Sequence, residues 1–253
     1  MGNEQQKTGK KIPKCNELMW ILGILFVALG VCLCSKSDLG VSMIAAPAFI
    51  VYEAVQSYWS GFSVGMIDYL IQGIILCIVC IVIRKFNWRF LLAFLTSVIY
   101  GYVLDMWILI FKNVIIDPIY LKWIILIIGD CSIAFGVACF FRTYLPLEVA
   151  ELAVKEISFS YKLQITKFKW VYDAICLVVS FILAISIFRD ITKFDWSTIY
   201  YTSYHHIGLA TFITAAINAP LIKLSGIVID KVFDTSPLIP KLANFLDTQG
   251  TTY

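Results

Sequence analysis

Apolar residues in this sequence are gathered into blocks of about 20, the length of helix that crosses the hydrocarbon core of a bilayer. Six blocks qualify, at residues 18–34, 64–83, 90–111, 119–141, 168–188 and 207–229. Of the 253 residues 60% are hydrophobic and 15% charged, with net charge +3 and mean hydropathy +0.84. A water-soluble domain carries about a quarter charged residues, so a soluble enzyme and a disordered chain are both excluded. The expected class is an all-α polytopic membrane protein. Trp20, Trp59, Trp88, Trp123, Trp170 and Trp196 fall near the span ends, where interfacial anchors belong.

Two shorter segments complete the pattern. Residues 39–55 are apolar but broken by Gly40 and Pro47, and residues 145–158 carry Glu148, Glu151, Lys155 and Glu156. A mid-bilayer charge costs about 2.5 to 3.5 kcal/mol, against about 0.3 to 0.6 gained per large apolar residue, so the second segment cannot cross. Both are read as re-entrant or interfacial helices. With six spans and a cytoplasmic N-terminus, fourteen Lys and Arg residues fall inside and five outside, with Lys223 left within a span. Eight crossings would push Arg84, Lys85 and Arg89 outside, so the positive-inside rule favours six spans with both termini cytoplasmic in a plasma membrane.

The chain also aligns with itself. A shift of 106 residues matches Ile21 with Ile127, Gly23 with Gly129, Ala28 with Ala134, Gly30 with Gly136, Val31 with Val137 and Leu39 with Leu145. A shift of 118 matches Leu91 with Leu209, Phe94 with Phe212, Thr96 with Thr214 and Ile99 with Ile217. Each half holds three crossings, so the second half must lie inverted relative to the first. The expected organisation is a basic tail over 1–17, repeats over 18–111 and 112–229, and a polar tail over 230–253. Inverted repeats with broken helices are an architecture of secondary transporters, whose sites lie near the midplane between the halves. Gly23, Gly30, Gly129, Ser132 and Gly136 are placed for close packing of the two leading helices.

On these stretches the sequence resembles the YitT/YczE group of bacterial multi-pass membrane proteins. The matching words are Leu29-Gly30-Val31 with Asp38 to Ser42, Phe135-Gly136-Val137 with Tyr144 to Glu148, and Gly208-Leu209-Ala210-Thr211 before Ala219-Pro220. Ser42, Met43 and Pro146 depart from the group's pattern, and the likeness covers roughly residues 18 to 230. It implies a bacterial integral membrane protein without the soluble C-terminal domain of YitT-type members. It bears on fold and location more than on mechanism.

Polar residues in or against the spans are the functional candidates, because such groups are costly there. Asp130 lies halfway along its span, either hydrogen-bonded as a neutral acid or serving a proton or cation pathway. Lys223 is expected to meet Glu148 or Glu151, and not Asp105, which inversion places at the opposite depth. Asp68 and Asp173 begin the middle spans and read as helix-start caps. Ser42 and Pro146 are placed to open half-helices whose free N–H groups suit anions, although Glu148 argues against an anion at the second. Asn218, with Thr214 and Pro220, would loosen the last span and could line a polar cavity.

The eight cysteines form neither a disulfide framework nor a zinc motif, and His205 with His206 is a weak metal signal in an aromatic loop. No cofactor site, nucleophile-base pair or nucleotide loop is present, and neither enzymatic activity nor nucleic-acid binding is expected. The leading reading is a small-solute transporter or permease-like protein with a central site. Its named residues are Asp130, Asn218, Lys223, Glu148, Glu151 and Ser42. The alternatives are a non-transporting factor that stabilises a partner membrane complex, and a substrate-binding subunit of a larger transporter. A partner membrane protein or a second copy would accompany the bilayer as partners, with an unknown solute or ion as ligand.

Overall fold

A computed structural model describes residues 16–84, 86–189, 203–234 and 236–237. The tail segments 1–15 and 238–253, with Trp196, Tyr200 and Tyr201 of the expected aromatic belt, lie outside the described residues. Eight helices follow in order: α1 (Asn16–Ser37), α2 (Ala46–Val55), α3 (Val64–Ile83), α4 (Trp88–Ile110), α5 (Ile119–Phe140), α6 (Val149–Ser160), α7 (Ile165–Phe188) and α8 (Leu209–Val232). Six have 20 to 24 residues and enough apolar character to cross a membrane. At 1.5 Å per residue they reach about 30 Å or more, the thickness of the hydrocarbon core. The chain is an all-helical polytopic membrane protein. Its outer surface is apolar along the spans, with Ile74, Ile78, Ile81, Leu109, Ile127 and Ile182 all more than half exposed. On a soluble monomer so extended an apolar surface would be anomalous; here lipid covers it.

The two halves are related by an interchange visible in single contacts. α1 and α5 pack antiparallel with backbones almost touching: a Cβ on Gly30 would lie 2.5 Å from Gly129 O, and one on Gly136 would lie 2.9 Å from Gly23 O. Interchanging the repeats carries Gly30 to Gly136 and Gly129 to Gly23, so one contact is the image of the other. The same holds between helices. α1 packs on α4 as α5 packs on α8, and each half-helix packs on the middle helix of the opposite half, α6 on α3 and α2 on α7. The middle helices α3 and α7 end alike, on Arg84 and Arg189 with φ of 55° and 51°.

The half-helices exist because the chain turns back into the bundle before each. After α1, Asp38 (φ 55°) and Gly40 (φ 121°) reverse it, and Val41 N–H donates to His206 O at 3.0 Å while Ala210 N–H donates to Leu39 O at 3.2 Å. Pro47, read from sequence as a break, lies in the first turn of α2, where its missing N–H costs nothing. After α5, the Asn16 side chain donates to Arg142 O and accepts from Tyr144 N–H and the Thr143 hydroxyl. Pro146 O then accepts from Trp20 Nε1 at 3.0 Å and Thr96 Oγ1 at 3.1 Å. Trp20 thus tethers the return segment as well as standing near a span end. We call the face where α1 begins proximal and the face where it ends distal.

Candidate functional site

Where the two return segments meet, at the starts of α2 and α6, the bundle encloses a cavity of about 40 Å³. That is room for a small ion or a few waters. Its lining includes Ser42, Ala45, Asp68, Tyr100, Glu148, Glu151, Asp173, Thr214 and Asn218. Of the six residues named from sequence for the central site, the structure brings Ser42, Glu148, Glu151 and Asn218 to this one place, with Asp68 and Asp173, named there as caps, and Thr214, named there beside Asn218.

The chemistry is acidic. Gln72 Nε2 donates to Asp68 Oδ2 at 2.6 Å and to Glu148 Oε1 at 2.5 Å, so one amide nitrogen bridges two carboxylates. Gln72 Oε1 accepts from the Ser97 hydroxyl, whose oxygen accepts from Val149 N–H at 3.0 Å and so caps the first turn of α6. Lys169 Nζ lies 3.0 Å from Glu151 Oε1 and 4.0 Å from Asp173 Oδ1, both residues of the lining. Asp68, Glu148, Glu151, Lys169 and Asp173 are all buried. Four carboxyl groups therefore share one ammonium group. A buried charge without a counter-charge is expensive, so the cavity favours protons, a cation or both. Glu151 Oε2, Asp173 Oδ1 and Asn218 Oδ1 are buried and have no hydrogen-bond partner. Half-helix N–H groups aimed at such a place would suit an anion, but Glu148 and its three companion acids reverse the sign.

Several expectations change. Lys223 is exposed and does not reach Glu148 or Glu151; the partner of Glu151 is Lys169. Asp130 does not line the cavity, and its Oδ1 meets the Cys34 thiol at 3.9 Å on the distal part of the α1–α5 pair. Asp68 and Asp173 are not helix caps. Ser63 caps α3, accepting from Met66 N–H at 3.2 Å, and Gln164 precedes α7, which leaves Asp173 two turns inside that helix. Asp105 instead serves the start of α3, accepting from the Ser63 hydroxyl and from Gly65 N–H at 2.8 Å. The residues not singled out from sequence, Gln72, Ser97, Tyr100 and Lys169, carried one readable signal. Asp68 with Gln72, and Lys169 with Asp173, are spaced four apart and so share a helix face in otherwise apolar spans.

A second cavity of about 270 Å³ lies toward the distal face, lined by residues that include Cys32, Lys36, Phe49, Tyr52, Gln56 and His206. Beside it, His205 Nδ1 is 2.9 Å and His206 Nε2 3.8 Å from the Glu53 carboxylate, and the His205 ring stacks on Phe188 at 3.7 Å. This clasp ties the loop before α8 to α2. Burial pushes His206 below the usual histidine range, the nearby Glu53 and Asp38 charges opposing. Among the described residues no group of three or more His, Cys, Asp or Glu is placed to hold a metal ion.

The comparisons with known proteins bear on the same stretch of chain. A model of a family described as "Family of unknown function (DUF6198)" matches residues 14–226, from the start of α1 to the last turns of α8. The chain belongs to the DUF6198 family. It is also similar to the uncharacterized protein YyaS of Bacillus subtilis (strain 168), 30% identical over 141 residues, which are 54% of this chain and 67% of that protein. No solved structure matches. The matched residues 14–226 include both half-helices and every cavity residue named above.

Proposed function

We propose that this DUF6198 protein is a small-solute transporter or permease-like protein of the bacterial plasma membrane, working through the central cavity between its two inverted halves. The observation that carries the reading is the cavity itself. Two half-helices from opposite halves open onto a buried polar space that holds unpartnered oxygens of Glu151, Asp173 and Asn218. A factor that only stabilises a partner complex would have its buried polar groups paired. The wider distal cavity supports an approach from that face. The excess of Lys and Arg on the proximal loops supports a cytoplasmic proximal face. The words shared with the YitT/YczE group support kinship to it. No enzymatic role is assigned.

The test is uptake into vesicles reconstituted with the purified protein, across a panel of small metabolites and ions. Flux of at least one solute, reduced at least tenfold by Asp173→Asn and kept by Asp130→Asn, is the expected result. Absence of flux across the panel, or flux indifferent to Asp173→Asn, would overturn the proposal.

A further inference from the structure

We infer that the central cavity binds one small monovalent cation of sodium or potassium size, held by Glu151 Oε2, Asp173 Oδ1 and Asn218 Oδ1. The inference deepens the transport reading and rests on the same cavity, but it concerns binding and can be tested without flux.

Three observations carry it. The first is the charge balance, with Asp68, Glu148, Glu151 and Asp173 facing one ammonium group, that of Lys169. The second is a set of buried oxygens that no protein donor meets. Glu151 and Asp173 are 5% and 7% exposed, both line the cavity, and each keeps an oxygen without a hydrogen-bond partner. Such atoms cost free energy unless a ligand meets them. Lys169 satisfies Glu151 Oε1 but at 4.0 Å does not hydrogen-bond Asp173 Oδ1. The third is the kind of donor. Carboxylate and amide oxygens are hard ligands that suit alkali-type cations rather than soft metals. A divalent cage is disfavoured, because the described residues gather no cluster of three acids, histidines or cysteines around one point. The volume of about 40 Å³ admits a largely dehydrated ion and excludes a larger organic cation.

The Lys169 ammonium then acts as a tethered neighbour of the bound ion. It fixes one oxygen of Glu151 and leaves the other turned to the cavity. Asp68 and Glu148, bridged by Gln72, line the same cavity together with Tyr100 and Thr214.

The experiment is thermal unfolding of the purified full-length protein in detergent, followed by tryptophan fluorescence. Sodium or potassium chloride is titrated against choline chloride at constant ionic strength. A saturable rise in Tm of about 5 °C at a hundredfold excess over Kd is expected with one or both alkali ions and not with choline. Asp173→Asn and the double variant Glu151→Gln/Lys169→Met should weaken the apparent affinity at least tenfold, and Asp130→Asn should leave it unchanged. If Asp173→Asn does not fold, Asn218→Ala removes a neutral ligand and should weaken binding severalfold. No alkali-specific shift in the wild type, a stronger shift with calcium or magnesium, or full affinity in the cavity variants would overturn the inference. Binding without solute flux would uphold it and remove the transport reading. Flux undiminished in choline, with no binding, would do the reverse.

Discussion

Replacing Gly30 by alanine tests the α1–α5 contact on which the inverted architecture stands. The added Cβ would lie 2.5 Å from Gly129 O, 2.6 Å from Ile133 Cγ1 and 2.8 Å from Ile133 N, against 3.4 Å for ordinary contact. Two of those atoms are backbone, so no rotamer change relieves them. The helices must part by roughly 0.9 Å at this level, and the image contact of Gly136 with Val27 N and Gly23 O lies two turns away on the same pair. Overpacking of this kind costs about 1 to 3 kcal/mol, while alanine gains up to about 1 kcal/mol of helix propensity over glycine. A net loss of about 1 to 2 kcal/mol is expected, and a similar loss for Gly136→Ala. Gly73→Ala is the control. Its Cβ would meet only Phe94 ring atoms, the nearest at 3.2 Å, so the propensity gain should stand and stability should hold or rise. Equilibrium unfolding of the three variants in mixed detergent would read the difference. If Gly30→Ala is as stable as Gly73→Ala, the two leading helices are not in backbone contact and the interchange of contacts is wrong.

Other perturbations follow from the site and the clasp. Lys169→Met leaves Glu151 and Asp173 buried without their counter-charge and should cost about 3 to 5 kcal/mol, while adding Glu151→Gln should recover most of it; a thermal melt of the single and double variants decides. Gly40→Ala should be severely destabilising, because its φ of 121° disfavours any side chain and the Cβ would fall 2.5 Å from Thr211 Oγ1 and 2.7 Å from Gly208 N, visible as loss of monodisperse protein on size exclusion. His206, held below its ordinary 6.5 by burial, binds fewer protons folded than unfolded. Its contribution to stability is therefore full above pH 6.5 and lost as pH falls through the folded value, and His206→Gln should flatten melting temperature between pH 7 and pH 5.

The scaffold was legible in the sequence because its signals are repeated and long. Span length is set by the bilayer, so α1, α3, α4, α5, α7 and α8 emerge within a few residues of their observed ends. Gly23, Gly30, Gly129 and Gly136 mark the interface because only small residues let the two backbones touch. The site was legible in part. Glu148 and Glu151 stand out as charges in an apolar context, and Asn218 as an amide beside Pro220. Asp68 and Asp173 were misplaced because their closeness to the span starts suggested caps, whereas Ser63 and the earlier start of α7 put both inside their helices. For Asp130 and Lys223 the difference from the central site is one of facing. Ile222 turns inward and the next residue on a helix is rotated by about 100°, so Lys223 turns outward, while Asp130, half-buried, meets Cys34 of α1 and not the cavity. Depth along a span can be counted from its ends. Facing depends on packing partners that an apolar helix does not declare.

The two halves share a backbone plan and not a chemistry, and the difference lies at the cavity. Under the 106-residue shift Ser42 corresponds to Glu148, and under the 118-residue shift Ser97 to Ala215 and Tyr100 to Asn218. The start of α6 therefore brings a carboxyl group to the Asp68–Gln72 pair on α3, while the start of α2 brings a hydroxyl toward α7. On the α7 side the negative charge comes from Asp173 within that helix and from Glu151 in the first turn of α6, with Lys169 paired to Glu151 and near Asp173. A repeat with identical halves would have inward- and outward-facing states of equal energy, because the interchange would map one onto the other. Under the proposed transport reading, Glu148 opposite Ser42 would make the two states bury different charge, and their populations would respond to whatever neutralises it. On that reading, proton or cation occupancy of this cavity would set which face opens, and a single carboxyl group would suffice to make the two faces unequal.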